Sequence, residues 1–277
     1  MTVSYRKFMS TIGLEATDTE LMELFHQSTK VAYSTALKRD IRIGAYLFDP
    51  RCVLEASRNR KLYQASATIN LPKPQALNMP LDQVFERRQS CRSFAHVDIS
   101  QQALSNVLNS LRITRRGYSA EFPDIPMSMR TYPSPGGLYP VEVYVVALNV
   151  EGIAPGAYHF NFEQHSLELV TNLPDAEQFA LMVGDHDQIA ATQAGFAVIL
   201  SAVFPRSTIK YEGLGYRFSL IEAGIVGQHL ALAATAQGIA HLNWGAYYDD
   251  PLHRWLHLDG VEEAICNFLW FGQKDNQ

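Results

Sequence analysis

Cysteine is scarce in this chain, and its spacing indicates neither a disulfide framework nor a metal site. Cys52, Cys91 and Cys266 stand far apart, with no CxxC pair. An odd, sparse count is typical of a protein from a reducing compartment. The nine histidines are scattered as well. The sequence therefore predicts no metal centre and no cysteine nucleophile.

Long apolar runs and strong charge are also missing. Residues 218–239, the nearest approach to a membrane span, contain Glu222, Gln228 and His229. The N-terminus lacks the continuous apolar core of a signal peptide. Net charge is −5, without a block of Lys or Arg, so we expect no nucleic-acid or membrane partner. These absences favour a cytoplasmic protein.

No GxGxxG, P-loop or GxSxG motif occurs, which argues against nicotinamide-binding Rossmann folds, P-loop nucleotide hydrolases and α/β-hydrolases. The 277 residues are 47% hydrophobic and only 18% charged, which suits a well-packed enzyme or an oligomer with apolar interfaces. We expect an N-terminal accessory region over residues 1–75, with one helix over 19–31 and then a basic, irregular run. A main domain is expected over 76–277.

Hydrophobic periodicity in the main domain predicts an α+β sandwich, a central sheet with a long helix across it. Ser100 is the predicted N-cap of a helix whose apolar positions run from Ala103 to Leu111. Residues 113–135 are polar and contain proline, which predicts a long loop. The other predicted elements are a short helix over 82–89, strands over 141–150, 157–162, 166–170, 194–204 and 264–271, and a long apolar helix over 216–239.

Three prolines and two glycines stand between Tyr132 and Pro140, directly before a predicted core strand. Proline fixes φ near −65°, and glycine permits φ values that a β-carbon forbids. A rigid loop with few side chains would let a large planar ligand lie against backbone. The alternative is an ordinary tight turn before a strand.

Three further clusters could carry chemistry. Arg88, Ser90 and Arg92 could bind a phosphate, because guanidinium groups are bidentate donors with a permanent charge; the alternative is a solvated helix end paired with nearby acids. Lys210 and Tyr211, between the buried strand and the long helix, could transfer a proton. A lysine base requires a pKa depressed by burial or neighbouring cations, and the alternative is a surface lysine beside a packing tyrosine.

The last cluster places small residues beside three aromatic ones, at Gly245 and Ala246. Such a segment could frame a flat ring system, or it could simply connect a helix to a strand. Glu222 and Gln228 within the apolar helix are buried polar groups that require partners, either for packing or within a site.

Taken together in this order, the segments resemble the nitroreductase-like flavoprotein superfamily. YPSPGGLYPVEVYVV, the hairpin GAYHFNFEQHSLELV, the Lys210–Tyr211 pair and the helix YRFSLIEAGIVGQHLALAATAQGI are most similar to its SagB/ThcOx-type branch, the McbC-like azoline dehydrogenases. The resemblance covers residues 80–273, and FHQST at 25–29 resembles the same branch. Gln89, Cys91 and His229 depart from its usual residues.

The resemblance implies a nitroreductase-like sandwich with a mainly antiparallel sheet, a homodimer, and FMN at its interface. Lys210 and Tyr211 match the catalytic pair. The segment that holds the FMN phosphate and ribityl chain matches Arg88, Ser90 and Arg92. The loop that reaches the flavin from the partner subunit matches Ser134, Pro135, Gly136 and Leu138, and the segment that touches the isoalloxazine ring matches Gly245 and Ala246.

The implied activity is FMN-dependent oxidation of peptide thiazolines or oxazolines to thiazoles or oxazoles, during maturation of a bacteriocin- or microcin-type ribosomal peptide. The implied partners are a modified precursor peptide and cyclodehydratase subunits. Three alternatives remain open: a generic FMN reductase of nitro compounds or quinones that uses NAD(P)H, an oxidase of carrier-bound thiazolines, and a scaffold subunit of a peptide-modifying complex.

Overall fold

The computed structural model describes residues 19–58, 60–63, 66–186 and 189–275. The main sheet consists of β1 (Thr68–Asn70), β2 (Phe94–Ala95), β5 (Val141–Ala147), β6 (Gly156–Asn161), β7 (Ser166–Asn172), β8 (Phe196–Val203), β9 (Ala240–Asn243) and β10 (Glu263–Lys274), and a separate ribbon pairs β3 (Ile113–Tyr118) with β4 (Pro126–Arg130). The strand order of the eight-stranded sheet is β1-β7-β6-β5-β8-β10-β2, with β9 also paired to β10. All pairings between these strands are antiparallel.

Helices cover both faces of the sheet, which confirms the predicted α+β sandwich. The Ser100 hydroxyl accepts from the amide of Ala103 at 3.2 Å, as expected of an N-cap. The helices are α1 (Thr19–Ser28), α2 (Tyr33–Leu47), α3 (Pro50–Ser57), α4 (Leu81–Arg87), α5 (Gln101–Leu108), α6 (Ala176–Val183), α7 (Ile189–Gln193), α8 (Pro205–Tyr211), α9 (Gly213–Thr235) and α10 (Asp249–Trp255).

The sheet is apolar on both faces because each face carries its own core. Val143 and Val145 of β5 face one core, which contains the buried side of α9 and the apolar stripe of α5. Tyr144 and Val146 face the other core, together with α6 and α10. Two buried faces explain why β8 is a continuous apolar run rather than an alternating one.

The long helix α9 is apolar and long enough to cross a membrane by length and composition alone. In the structure, 56% of the apolar 18-residue stretch of α9 is buried inside the protein. Ala223, Val226 and Leu230 lie in the core against the sheet. These contacts are those of a core helix.

Two predictions about local structure are wrong. The predicted loop over 113–135 contains the β3–β4 ribbon. Its arginine-rich strand β3 is almost entirely exposed, so it lacks the apolar alternation by which buried strands are recognised. The run after the first helix is not irregular, because α2 and α3 occupy most of residues 33–57. Tyr33, Leu37 and Ile41 of α2 are exposed, so these apolar side chains do not mark a core-facing stripe of the helix.

Buried carboxylates of the sheet hold the segment that follows α3. The Glu142 carboxylate accepts from the backbone amide of Lys61 at 3.1 Å, and the Lys61 ammonium lies 2.5 Å from Glu263. Burial alone would raise the pKa of Glu142, but the Arg206 guanidinium at 2.6 Å and His159 at 2.8 Å hold that pKa well below its usual range. The N-terminal helices are therefore tied to the centre of the sheet.

Candidate active site

The proline- and glycine-rich loop before β5 is held in one shape by its own hydrogen bonds. Ser134 accepts from the amide of Tyr139 at 2.8 Å, and the Tyr139 hydroxyl accepts from the amide of Arg130 at 2.9 Å. The Arg130 guanidinium is enclosed by aromatic rings and donates to the Tyr132 hydroxyl at 2.6 Å. Gly136 has φ +69°, a conformation that favours glycine. These hydrogen bonds and this backbone conformation are consistent with the fixed shape that the prolines and glycines predict.

The loop meets Lys210 and Tyr211 of its own chain. A β-carbon added at Gly136 would lie 2.5 Å from the Tyr211 hydroxyl and 3.0 Å from Lys210 Nζ. Both side chains come from α8, whose first turn contains Pro205, a favourable position for proline. The sequence interpretation assigned the bare backbone at Gly136 to the approach of a flavin. In the structure, the neighbours of that position are the predicted catalytic pair.

Lys210 is 5% exposed, which confirms the burial that a lysine base requires. Its Nζ lies 5.2 Å from the ring centroids of both Tyr46 and Tyr211. Burial lowers the pKa of Lys210, and the Glu121 carboxylate opposes that change. Burial also raises the pKa of Tyr211, so its hydroxyl remains a proton donor near neutral pH. An amine whose pKa is lowered by burial thus stands beside a protonated phenol.

The predicted phosphate segment lies at the other end of α9. Arg88 is half-buried, whereas Ser90 and Arg92 are exposed. Within the described ranges neither arginine forms an ion pair with a carboxylate, so the alternative of a helix end neutralised by nearby acids is not observed. Beside them lies a cavity of about 170 Å³, here called the basic cavity, whose lining includes Arg87, Gln89, Cys91, Thr235, His241 and Lys274.

Two residues of the basic cavity escaped the sequence analysis. Lys274 is the last residue of β10, far along the chain from the arginines. Burial and the charge of Arg88 lower the pKa of His241 to about 4, so its ring is neutral. Among the residues that the structure describes, no hydrogen-bond partner contacts the buried Nδ1 of His241. The parallel bridge between Ser90 and His241 could not be deduced from spacing.

Gly245 and Ala246 follow β9 at the end away from the basic cavity. Ala240 pairs with Gly272 near the cavity, and Asn243 pairs with Leu269. With about 3.3 Å per strand residue, β9 from Ala240 to Asn243 spans about 10 Å. His241 and Leu242 are buried, and exposure begins at Asn243, so the predicted ring-binding segment lies at the exposed end of β9.

These groups fit a phosphorylated flat cofactor such as FMN. Arg88, Arg92 and Lys274 supply positive charge at one end of β9, with no carboxylate paired to them among the residues that the structure describes. Nδ1 of His241, which has no hydrogen-bond partner in that part of the chain, could form a hydrogen bond there. Beyond β9, the exposed Gly245 has open space where a side chain would stand.

The basic cavity and the Lys210–Tyr211 pair of one chain are far apart. Helix α9 begins two residues after Tyr211 and ends at Thr235, which lines the cavity. Its 23 residues correspond to about 33 Å at 1.5 Å per residue. The strand β10 shows the same separation. Its first residue, Glu263, pairs with Val203, just before α8, and its last residue, Lys274, lies at the opposite end of the strand beside the basic cavity. One FMN molecule is shorter than this separation.

Glu222 lies beneath the loop, on the sheet-facing side of α9. It is fully buried, and neither carboxylate oxygen has a hydrogen bond of standard geometry among the described residues. Burial raises its pKa to about 7, although the Ser134 hydroxyl, Arg130, the Val141 amide and Arg206 each draw the pKa downward. The sequence predicts that Glu222 is a buried acid but not that it lies under the loop.

Comparison with known proteins identifies the family. The model of the nitroreductase family matches residues 85–272. This chain belongs to the nitroreductase family. One relative is MJ1384 of Methanocaldococcus jannaschii, which carries the provisional name of a nitroreductase. It is 28% identical over 191 residues, which are 69% of this chain and 91% of that protein. The family places the chain among oxidoreductases.

A second relative is the Microcin B17-processing protein McbC of Escherichia coli, 31% identical over 155 residues, which are 54% of this chain and 56% of McbC. The E. coli microcin synthetase McbBCD complex with truncated pro-MccB17 contains a chain with a TM-score of 0.59 and 22% identity, covering 95% of this chain and 99% of that one. A structure from Anabaena variabilis named as a nitroreductase has a TM-score of 0.66 and 23% identity, covering 90% of this chain and 45% of that one. These likenesses confirm the nitroreductase-like fold.

No group of three or more His, Cys, Asp or Glu side chains suited to a metal ion occurs in the part of the chain that the structure describes.

Proposed function

We propose that this member of the nitroreductase family is an FMN-dependent azoline dehydrogenase. It would oxidise thiazolines or oxazolines in a ribosomally made peptide to thiazoles or oxazoles. The main observation behind this proposal is that the Lys210 amine is buried and that Lys210 and Tyr211 both lie next to Gly136 of the proline- and glycine-rich loop. The similarity to McbC, a protein named for microcin B17 processing, supports the substrate class.

The chemistry of an azoline suits this pair. The hydrogen on the ring carbon next to the peptide carbonyl is acidified by that carbonyl and by the C=N bond, so a positioned base can remove it. Lys210, whose pKa is lowered by burial, is the proposed base. Tyr211, kept protonated, donates a hydrogen bond that orients the ring. Bound FMN would accept the accompanying hydride.

The residues proposed to hold FMN are those of the sequence prediction together with the basic cavity. Arg88, Ser90, Arg92 and Lys274 would bind the phosphate and ribityl chain. Gly245 and Ala246 would border the flat ring, which fits the exposed backbone beyond β9. Ser134, Pro135, Gly136 and Leu138 would border it from the loop. Leu138 is 1% exposed, so its backbone rather than its side chain would make the contact.

A homodimer would bring the separated parts of the site together. The basic cavity and the Lys210–Tyr211 pair stand about 33 Å apart along α9, so the loop and the base of one chain would serve the cofactor of the other. Exposed apolar side chains support such an interface. Leu81 and Phe85, one turn apart on α4, are 61% and 58% exposed, and Ile221 of α9 is 54% exposed; exposed apolar surface can mark an interaction site.

The further partners we propose are the modified precursor peptide and the cyclodehydratase subunits that form its azolines. The solved McbBCD complex contains truncated pro-MccB17, which supports a peptide-bound assembly for this chain as well. We propose a cytoplasmic location, where such a precursor is synthesised.

The proposal is tested with a synthetic peptide that carries one thiazoline. Purified flavin-loaded protein should convert it to the thiazole, with a loss of about 2 Da by mass spectrometry, because two hydrogens leave the ring. Lys210→Ala and Tyr211→Phe should keep bound FMN and lose at least about 100-fold in turnover, the usual contribution of a general base. Lys38→Ala, at an exposed position of α2, is the matched control.

Undiminished turnover in Lys210→Ala or Tyr211→Phe would overturn the assignment of the catalytic pair. The generic reductase is favoured instead if NADPH bleaches the flavin rapidly in a stopped-flow experiment while the peptide is unchanged. Protein that purifies and stays without flavin would favour a scaffold subunit.

A further inference from the structure

The N-terminal part of the chain contributes a side chain to the environment of Lys210. Tyr46, near the end of α2, is 8% exposed, and its ring centroid is 5.2 Å from Lys210 Nζ. Its hydroxyl donates to the carbonyl of Cys52 at 3.3 Å, which fixes the ring. Helix α2 is itself held against α8, because Arg42 donates to the carbonyl of Ile209 at 3.1 Å.

The other side of Tyr46 borders an open groove of about 430 Å³ between α3 and α8. Its lining includes Tyr46, Cys52 and Ile209, but Lys210 is not among the described residues that line it. Tyr46 therefore stands between solvent in the groove and the amine. Without its ring, water would reach the amine from the groove.

We propose that Tyr46 is a positioning residue for Lys210: its ring seals the amine from the groove and holds it against Gly136. The importance of this role for turnover rests on the proposed function, whereas the sealing itself does not. The region expected to be accessory would then form one wall of the active site.

The ring has two opposing effects on the amine. A cation is attracted to an aromatic face within about 6 Å, which favours the ammonium form. Exclusion of water disfavours that form. The other groups that face Lys210 are Tyr211 from its own helix and Glu121 from the β3–β4 turn, and on balance burial lowers the pKa of Lys210. Loss of the ring should therefore favour protonation.

The test measures the titration of Lys210 directly in the flavin-loaded protein. Acetic anhydride acylates neutral amines, and peptide mass spectrometry reports the extent at each pH, with the exposed Lys38 as internal reference. In Tyr46→Ala the midpoint for Lys210 should rise by about one pH unit, toward that of Lys38. Tyr46→Phe keeps the ring, and Tyr33→Ala changes a fully exposed tyrosine of the same helix; both should titrate like the parent protein.

An unchanged or lowered midpoint in Tyr46→Ala would overturn the proposal, and so would a Tyr46→Phe variant that shifts as far as Tyr46→Ala. If Tyr46→Ala does not fold, Tyr46→Leu fills part of the space without a planar ring and should shift in the same direction. With the thiazoline peptide, the acidic limb of kcat/KM should move with the acylation midpoint. Parent protein that lacks turnover but shows the predicted acylation pattern would contradict the proposed function and leave the role of Tyr46 intact.

Discussion

Replacement of Glu222 by glutamine should stabilise the protein, and only at alkaline pH. Glu222 is fully buried beneath the loop, and its pKa is raised from the ordinary 4.5 to about 7. At about 1.4 kcal/mol for each tenfold change in proton affinity, this difference corresponds to roughly 3 kcal/mol. The ionised carboxylate destabilises the fold by that amount once the pH is well above 7.

The sign follows from the two states of the chain. Below about pH 4.5 the carboxyl is protonated in both the folded and the unfolded chain, so Glu222 carries no penalty. As the pH rises through 4.5 and then 7, the unfolded chain releases its proton first, and the stability of the parent protein falls. Glutamine has nearly the same shape and never ionises, so Glu222→Gln should not show this loss.

The assay is thermal unfolding of parent protein and Glu222→Gln at equal FMN concentration, near pH 5 and near pH 8.5. At the alkaline pH the variant should unfold at a temperature higher by about 6–12 °C, since 1 kcal/mol corresponds to about 2–4 °C in a protein of this size. Near pH 5 the two proteins should differ little. Equal differences at both pH values, or a variant that is less stable at the alkaline one, would refute this account of the buried carboxyl.

Three glycine substitutions test the geometry of the site. Gly136→Ala places a β-carbon 2.5 Å from the Tyr211 hydroxyl, whereas the β-carbon of Gly137→Ala meets nothing closer than 3.9 Å. Both glycines have positive φ, so both variants carry a similar backbone strain of about 1 kcal/mol. Gly136→Ala should therefore reduce turnover far more than Gly137→Ala, and equal activities would contradict the proposed contact. Gly184→Ala places a β-carbon against the carbonyl of Ala246 and should weaken FMN binding, measured by fluorescence titration, although Gly184 lies outside the proposed cofactor site. Unchanged FMN affinity would remove Ala246 from the set of cofactor neighbours.

The sequence predicted well what local pattern determines. The apolar run over 194–204 corresponds to β8 (Phe196–Val203), and the run over 141–150 contains β5 (Val141–Ala147). The long helix was recognised, although it begins at Gly213 and ends at Thr235. Glycines and prolines correctly indicated a rigid loop, because their backbone restrictions act within the residue itself.

Side chains that meet only through the fold escaped prediction. Tyr46 and Lys210 are 164 positions apart in the sequence, and no periodicity connects them. Lys274 joins the arginine segment because β10 ends beside β2. The sequence singles out Gly136 by its residue type and loop, but the neighbour of Gly136, Tyr211, depends on how α8 lies against the loop.

The buried pairing of Lys61 with Glu263 has a consequence for synthesis of the protein. The two residues are 202 positions apart, and Glu263 begins the last strand of the chain. While the chain is still on the ribosome, the N-terminal helices therefore lack the carboxylate that neutralises Lys61. Contacts between residues so far apart in the sequence form slowly. Until they form, exposed apolar surface on the N-terminal helices can promote aggregation. The Lys61 side chain can thus complete its buried contacts only after the C-terminal strand has entered the sheet.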